Sequence, residues 1–218
     1  MPTLRDDLEP LTARLARLAI DDRGYPVPWF VAWVLGKPDF RVIDTPKFGR
    51  AVKERLCWVC GQPLGRWLAF PIGPMCAITR TTSEPPCHFE CASWSVRNCP
   101  FLVNPSRSRD ETNLPTDHVT AAGHPLSRNP GVVCLWLTRS FDVFQVESGT
   151  KGVLITIGDP AQVTWWREGR EATVEEVETS VQGGFPALLA MAKQQGDFAV
   201  EALGRQYRLA ERLWQPAP

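Results

Sequence analysis

The stretch Leu56-Cys57-Trp58-Val59-Cys60-Gly61, answered downstream by Cys87-His88-Phe89-Glu90-Cys91, decides how this chain is read. A Cys-x-x-Cys pair followed by a His-x-x-Cys pair offers four soft donors, the set that tetrahedral zinc prefers. The first pair makes a turn in which two thiolates converge, and Gly61 permits the tight backbone of a knuckle. The second pair needs a rigid carrier. Residues three apart share a face of a helix, Pro85-Pro86 suits a helix start, and free amides at that end favour nearby thiolates. The expected metal ligands are Cys57, Cys60, His88 and Cys91, holding a structural Zn2+. Cys87, four residues before Cys91, can share its face, and Cys76 can reach in from the intervening segment. Either of these, or Cys99, can replace a named ligand. Cys99, about two turns beyond Cys91, and Cys134, in an apolar run, read first as core.

Working outward, six of the seven cysteines lie between Leu56 and Leu102. An odd set of this kind in a reducing compartment favours metal over disulfides. The N-terminus has no apolar run behind a basic start, and no apolar run approaches the ~20 residues that span a bilayer. The expected location is therefore cytoplasmic, with no membrane partner. The apolar fraction of 44% and nine tryptophans suffice for a real core. Net charge is zero, which excludes bulk electrostatic capture of nucleic acid. Residues 41–110 nevertheless carry ten basic against five acidic side chains, and residues 111–218 carry nine against thirteen. A local nucleic-acid contact near the cysteines is thus permitted.

Periodicity predicts a helix over Leu11–Ile20 and a strand over Trp29–Leu35. A turn at Gly36-Lys37-Pro38-Asp39 leads into a partner strand over Phe40–Asp44. Thr45-Pro46 reads as an N-cap and first helical position, with a helix to about Arg55. Trp67–Ile72 and Cys76–Thr81 read as two short strands around Gly73-Pro74, and a helix runs from near Cys87 to about Asn98. Residues 105–130, rich in Pro, Gly, Ser, Thr, Asn and Asp, read as loop or linker. Strands are expected over Val132–Thr138, Phe141–Glu147, Gly152–Ile157 and Val163–Trp166, with a hairpin turn at Ser148-Gly149-Thr150-Lys151. In a strand, Trp165 and Trp166 point to opposite faces. Thr173 and Glu176 form a capping box. The helix it starts is expected to stop at Gly183-Gly184, with further helices over Phe185–Gln195 and Phe198–Trp214.

Other chemistry is thinner. His88-Phe89-Glu90 is an H-x-E triplet, but zinc deaminases carry P-C-x-x-C downstream of it, and here the Cys-x-x-Cys is upstream. An HNH-type nuclease needs a His-Asn-His set, and His118, His124, Asn113 and Asn129 show no compelling spacing. Lys47, Arg50, Lys53, Arg55, Arg66 and Arg80 with Trp58 and Trp67 can form a basic and aromatic face for a nucleic-acid strand. The plainer reading is a solvated helix with its tryptophans in the core. There is no Walker motif and no phosphate loop.

The order of knuckle, short hairpin and ligand-bearing helix is similar to that of a treble-clef zinc finger. More widely, Leu56–Gly61, Ile72-Gly73-Pro74-Met75-Cys76, Pro85–His88, Cys99-Pro100-Phe101-Leu102 and Trp165–Thr173 resemble a family of uncharacterised bacterial and phage proteins. The resemblance covers most of the chain and implies a phage or prophage setting, with no activity attached. The expected fold is α+β: a zinc-stapled treble-clef-like module (1–104), a linker (105–130), and an antiparallel sheet followed by helices (131–218). The expected function is that of a zinc-binding, non-enzymatic interaction protein acting on a host protein. The alternatives are a nucleic-acid-binding zinc finger, with or without nuclease activity, and, behind it, a small zinc hydrolase or deaminase.

Overall fold

The computed structural model describes residues 2–106, 108, 112, 114, 129–146 and 152–215. The expected turn at 148–151, the histidines His118 and His124, Asn113 and most of the 105–130 stretch lie outside the described residues.

The chain is α+β, with antiparallel sheets and helices. Strands β1 (Val31–Val34) and β2 (Lys37–Ile43) form a hairpin. It is followed by helix α1 (Thr45–Lys53), β3 (Leu68–Ile72), α2 (Pro74–Thr79), β4 (Thr81–Thr82), α3 (Phe89–Asn98) and α4 (Pro100–Val103). Next come β5 (Val133–Thr138), β6 (Phe141–Val146), β7 (Gly152–Ile157), β8 (Gln162–Arg167) and β9 (Arg170–Glu171). Helices α5 (Val174–Gln195) and α6 (Asp197–Glu211) close the order.

The central sheet has the order β3-β5-β8-β9, and a second sheet has the order β4-β7-β6. Strand β3 pairs antiparallel with β5, and β4 with β7, so both sheets draw strands from either side of the 105–130 stretch. The central sheet is covered on both faces, which explains why β5 reads as an unbroken apolar run. Side chains alternate between two cores. Leu68, Phe70, Ile72, Cys134, Trp136 and Trp165 face α2, α5 and α6. Ala69, Leu135, Leu137 and Trp166 face the cysteines, α3 and the N-terminal segment. The tryptophan pair is thus split between the two faces, as the strand period demands. On the helical side, Trp165 meets Trp214 edge-on at 5.8 Å, Trp214 meets Tyr207, and Tyr207 meets Phe185 at 4.7 Å. This aromatic chain ties β8 to α6 and α5.

Several expectations are corrected. Residues 11–20 form only a 3-10 turn at Leu15–Arg17. Val27 N–H bonds the Ala19 carbonyl and Ile20 bridges Pro26, so tertiary pairing draws the end of the segment out of helical geometry. Its leucines still reach the core. The hairpin turn is Leu35-Gly36, both at positive φ, as a two-residue connection requires. Pro38 then lies inside β2, tolerated because a two-stranded ribbon has only edges. Asp44, and not Thr45, caps α1 by accepting from Lys47 N–H. Residues 74–79 are helical and not extended: Pro74 takes a first-turn position of α2, where its missing N–H is free of cost. Helix α5 does not stop at Gly183-Gly184 but continues through Pro186. Gly184 lies so close to α2 that a Cβ would sit 3.2 Å from the Met75 side chain, so the glycine serves close approach. The capping box of Thr173 and Glu176 is present. Among the described residues, no helix is long and apolar enough to cross a membrane.

Candidate metal centre

Cys57, Cys60, His88 and Cys91 come together: their ligating atoms all lie within 4.8 Å of one another, and all four residues are buried. Zn–S bonds of about 2.3 Å and Zn–N bonds of about 2.0–2.1 Å in a tetrahedron need sulfur-to-nitrogen separations of about 3.6 Å. The Cys60 Sγ to His88 Nδ1 distance is 3.3 Å and the Cys91 Sγ to His88 Nδ1 distance is 3.9 Å, which bracket that spacing. The donor set therefore fits a single metal ion.

Local structure explains the convergence. The knuckle closes when Gly61 N–H bonds the Cys57 carbonyl at 2.8 Å, with Gly61 at φ +71. Leu56 bridges Pro63, and Leu64 N–H bonds the Arg55 carbonyl, so the knuckle stands on a two-stranded stem. Trp58 N–H bonds the Pro86 carbonyl, and Ala69 and Cys87 exchange backbone hydrogen bonds of 2.9 and 2.8 Å. These ties fix the approach to α3 against both the knuckle and β3. His88 is the N-cap of α3, and Cys91 lies in its first turn. The backbone N–H groups of Cys60 and His88 point at Cys57 Sγ, at 3.5 and 3.3 Å, and favour a thiolate there.

One contact was not legible in the sequence. His88 Nε2 lies 3.0 Å from the Pro63 carbonyl. When Nε2–H donates to that oxygen, the Nδ1 lone pair is left facing the sulfurs, the outer hydrogen bond that orients metal-binding histidines. The signal was a proline two residues after the knuckle glycine, and its meaning depends on a stem that spacing does not reveal.

The electrostatics of the cluster gather negative charge on Cys57, while Cys57 and then Cys60 raise the neighbouring Cys91 thiol. Hydrogen bonds from Cys60, then Cys87 and Cys91, hold the Cys57 thiol far below its ordinary value. His88 is pushed up to about 10 by its contacts with Cys57 and then Cys60. A proton on the imidazole or a metal ion among the sulfurs meets the same demand.

The alternative ligands fall outside this set. Cys87 is buried beside the cluster in the bridge to Ala69, and its thiol is raised first by Cys57 and then by burial. Cys76 is on α2, against the opposite face of the sheet. Cys99 separates α3 from α4, and Cys134 is fully buried in β5. Glu90, the acid of the H-x-E triplet, is partly exposed and paired with Arg14. Asn129 is buried and bonds the Phe101 and Leu102 carbonyls.

The basic face is only partly available. Trp58 is buried, stacked on Phe30 at 4.9 Å and edge-on to Phe48 at 5.8 Å. Lys47 pairs with Asp44, Arg50 with Glu54 and Arg80 with Asp159. Lys47 and Arg50 also lie over the Trp29 ring.

Trp29 locks the knuckle from outside. A Cβ at Gly61 would lie 2.6 Å from its ring carbons. Gly61→Ala combines that clash with a left-handed backbone and is expected to destabilise the protein by about 2–4 kcal/mol in denaturant unfolding. A loss below about 0.5 kcal/mol, within the range of an ordinary surface change, would contradict the close contact.

Comparison with protein-family models, with curated proteins and with solved structures finds no match.

Proposed function

We propose that the cluster holds one structural zinc ion and that the protein is a non-enzymatic binding protein whose work is done on its surface. The observation that carries this is the closed donor set: three thiols and an imidazole, buried, with spacings that suit a tetrahedron and an outer hydrogen bond on the imidazole. Four protein donors complete the coordination of zinc and leave no position for a reacting water. Glu90, engaged with Arg14, is not poised as a proton shuttle at the metal. Three sulfurs and one nitrogen select zinc over magnesium or calcium, which take oxygen ligands.

All seven cysteines are free, which fits a reducing compartment and supports a cytoplasmic location. The residue runs around Cys57, Cys76, Cys99 and Trp165 support a phage or prophage setting, with a host protein as one partner. Exposed apolar side chains away from the metal, such as Trp33 and Leu35 on the β1–β2 hairpin, offer contact surface for it.

Protein purified without added chelator is expected to carry about one zinc per chain by elemental analysis, and to lose thermal stability when a strong chelator removes it. Metal-free protein with an unchanged melting curve would overturn the reading.

A further inference from the structure

We propose that the surface around Trp67 binds single-stranded nucleic acid, with the ring stacking on a base and the arginines beside it holding phosphates. Trp67 is 39% exposed although it directly precedes a fully buried stretch of β3. It lies just outside the Leu68–Thr138 pair, which sets it across from Arg139. The Arg139 guanidinium is 4.5 Å from the centre of the Trp67 ring, and that of Arg66 is 5.9 Å away. Arg55 lies 5.5 Å from the Phe141 ring, on the strand that follows Arg139. Three cations and two aromatic rings thus share one end of the β3–β5 pair.

Most arginines elsewhere among the described residues are paired with a carboxylate. Arg5, Arg14, Arg23, Arg41, Arg50, Arg80, Arg97, Arg167, Arg170 and Arg205 each have a carboxylate within 4 Å. Arg55, Arg66 and Arg139 have none among the described residues, and neither have Arg17, Arg208 and Arg212, but of these six only Arg66 and Arg139 lie over an exposed ring. The nearby acids are committed or turned away. Glu54 is held by Arg50 and Asp159 by Arg80. Asp142, next to Phe141, points to the other face of its strand. The uncompensated charge calls for a polyanion, and the exposed indole beside guanidiniums calls for one with flat rings. Nucleic acid in single strands supplies both, without sequence readout. An acidic polypeptide supplies only the first.

The face is also tied to the metal centre. Arg55 lies at the base of the stem that carries the knuckle, where the Leu64 N–H bonds its carbonyl at 2.8 Å, and Arg66 follows two residues after Leu64. The knuckle therefore sets the spacing of these two cations. Zero net charge for the whole chain predicts modest affinity with a marked salt dependence.

The test is fluorescence anisotropy of labelled oligothymidylate and oligouridylate with the full chain at low salt. Binding is expected, with log affinity falling against log salt at a slope of about −2, for three phosphates on a single strand. Trp67→Leu is expected to weaken binding about tenfold, and Arg139→Gln to weaken it and flatten the slope by about 0.7, both with melting curves like the parent's. No binding at low salt overturns the proposal, as does full affinity in Trp67→Leu. Polyglutamate competing as well as oligothymidylate at equal charge also overturns it, and assigns the face to an acidic protein. The proposal rests on the binding-protein reading, and separate arms distinguish their failures. Zinc-bearing protein that ignores the oligonucleotides fails the face alone. Zinc-free protein that binds them with Trp67 dependence fails the metal reading alone.

Discussion

Serine in place of Cys91 is expected to abolish metal binding at the cluster and to unfold the side of the central sheet that faces the knuckle. Cys91 is wholly buried and is one of three thiols in the cluster. A serine hydroxyl is a poor zinc donor, and without the ion the remaining thiols and imidazole are buried polar groups with too few partners. Structural zinc contributes about 10–16 kcal/mol to the folding of small finger peptides, whereas a whole domain is stable by about 5–15 kcal/mol. Even partial loss of that contribution is large here. With about 2–4 °C lost per kcal/mol for a chain of this size, the melting temperature is expected to fall by at least about 10 °C. Cys99→Ser, outside the cluster, is the control and should retain the metal. A Cys91→Ser protein with full metal content and an unchanged melting curve would show the ligand set to be wrong.

Trp136→Ala is expected to damage the opposite core by a different route. Trp136 is 2% exposed, in the middle of β5, and its indole N–H donates to the Gly158 carbonyl at 3.0 Å. Truncation leaves a large cavity between sheet and helices, worth about 3–5 kcal/mol for this type of change, and removes the partner of a carbonyl. Denaturant titration should show a lower midpoint with little change in slope. Zinc content of the folded protein should be unchanged, because Trp136 and the cysteines lie on different faces of the sheet. A loss below about 1 kcal/mol would mean that the site collapses to fill the space. Together the two variants separate the metal-side core from the helix-side core.

What could be read in advance follows the range of each signal. The cysteine and histidine pairs are local, and their spacing brings two donors together within each pair. The capping box at Thr173 is four residues long and was legible for the same reason. The β5 run was visible because only a strand buried on both faces tolerates so many large apolar side chains. By contrast, Pro74–Thr79 is too short and too uniformly apolar to show a period, so strand and helix looked alike. Gly183-Gly184 reads as a stop because glycine is a poor helix former, yet the use of Gly184 is to admit Met75 from another helix. Arg139 does not show in the sequence as a neighbour of Trp67 because only the register of β3 on β5 sets them side by side. The Pro63 carbonyl beside His88 was hidden for a similar reason. The contacts of Gly184, Arg139 and Pro63 all join segments distant in sequence.

The pairing of β3 with β5 also has a consequence for how the chain is made. Ribosomes add about 5–20 residues per second, so Leu68, Phe70 and Ile72 emerge several seconds before the strand that will cover their edge. All donors of the metal cluster are already present by Cys91. Capture of the ion can therefore organise the knuckle and α3 early, while an apolar strand edge stands open and prone to aggregate. In the nascent chain an ion bound there would have a second use: it would hold one face of an unfinished sheet until the C-terminal strands arrive to close it.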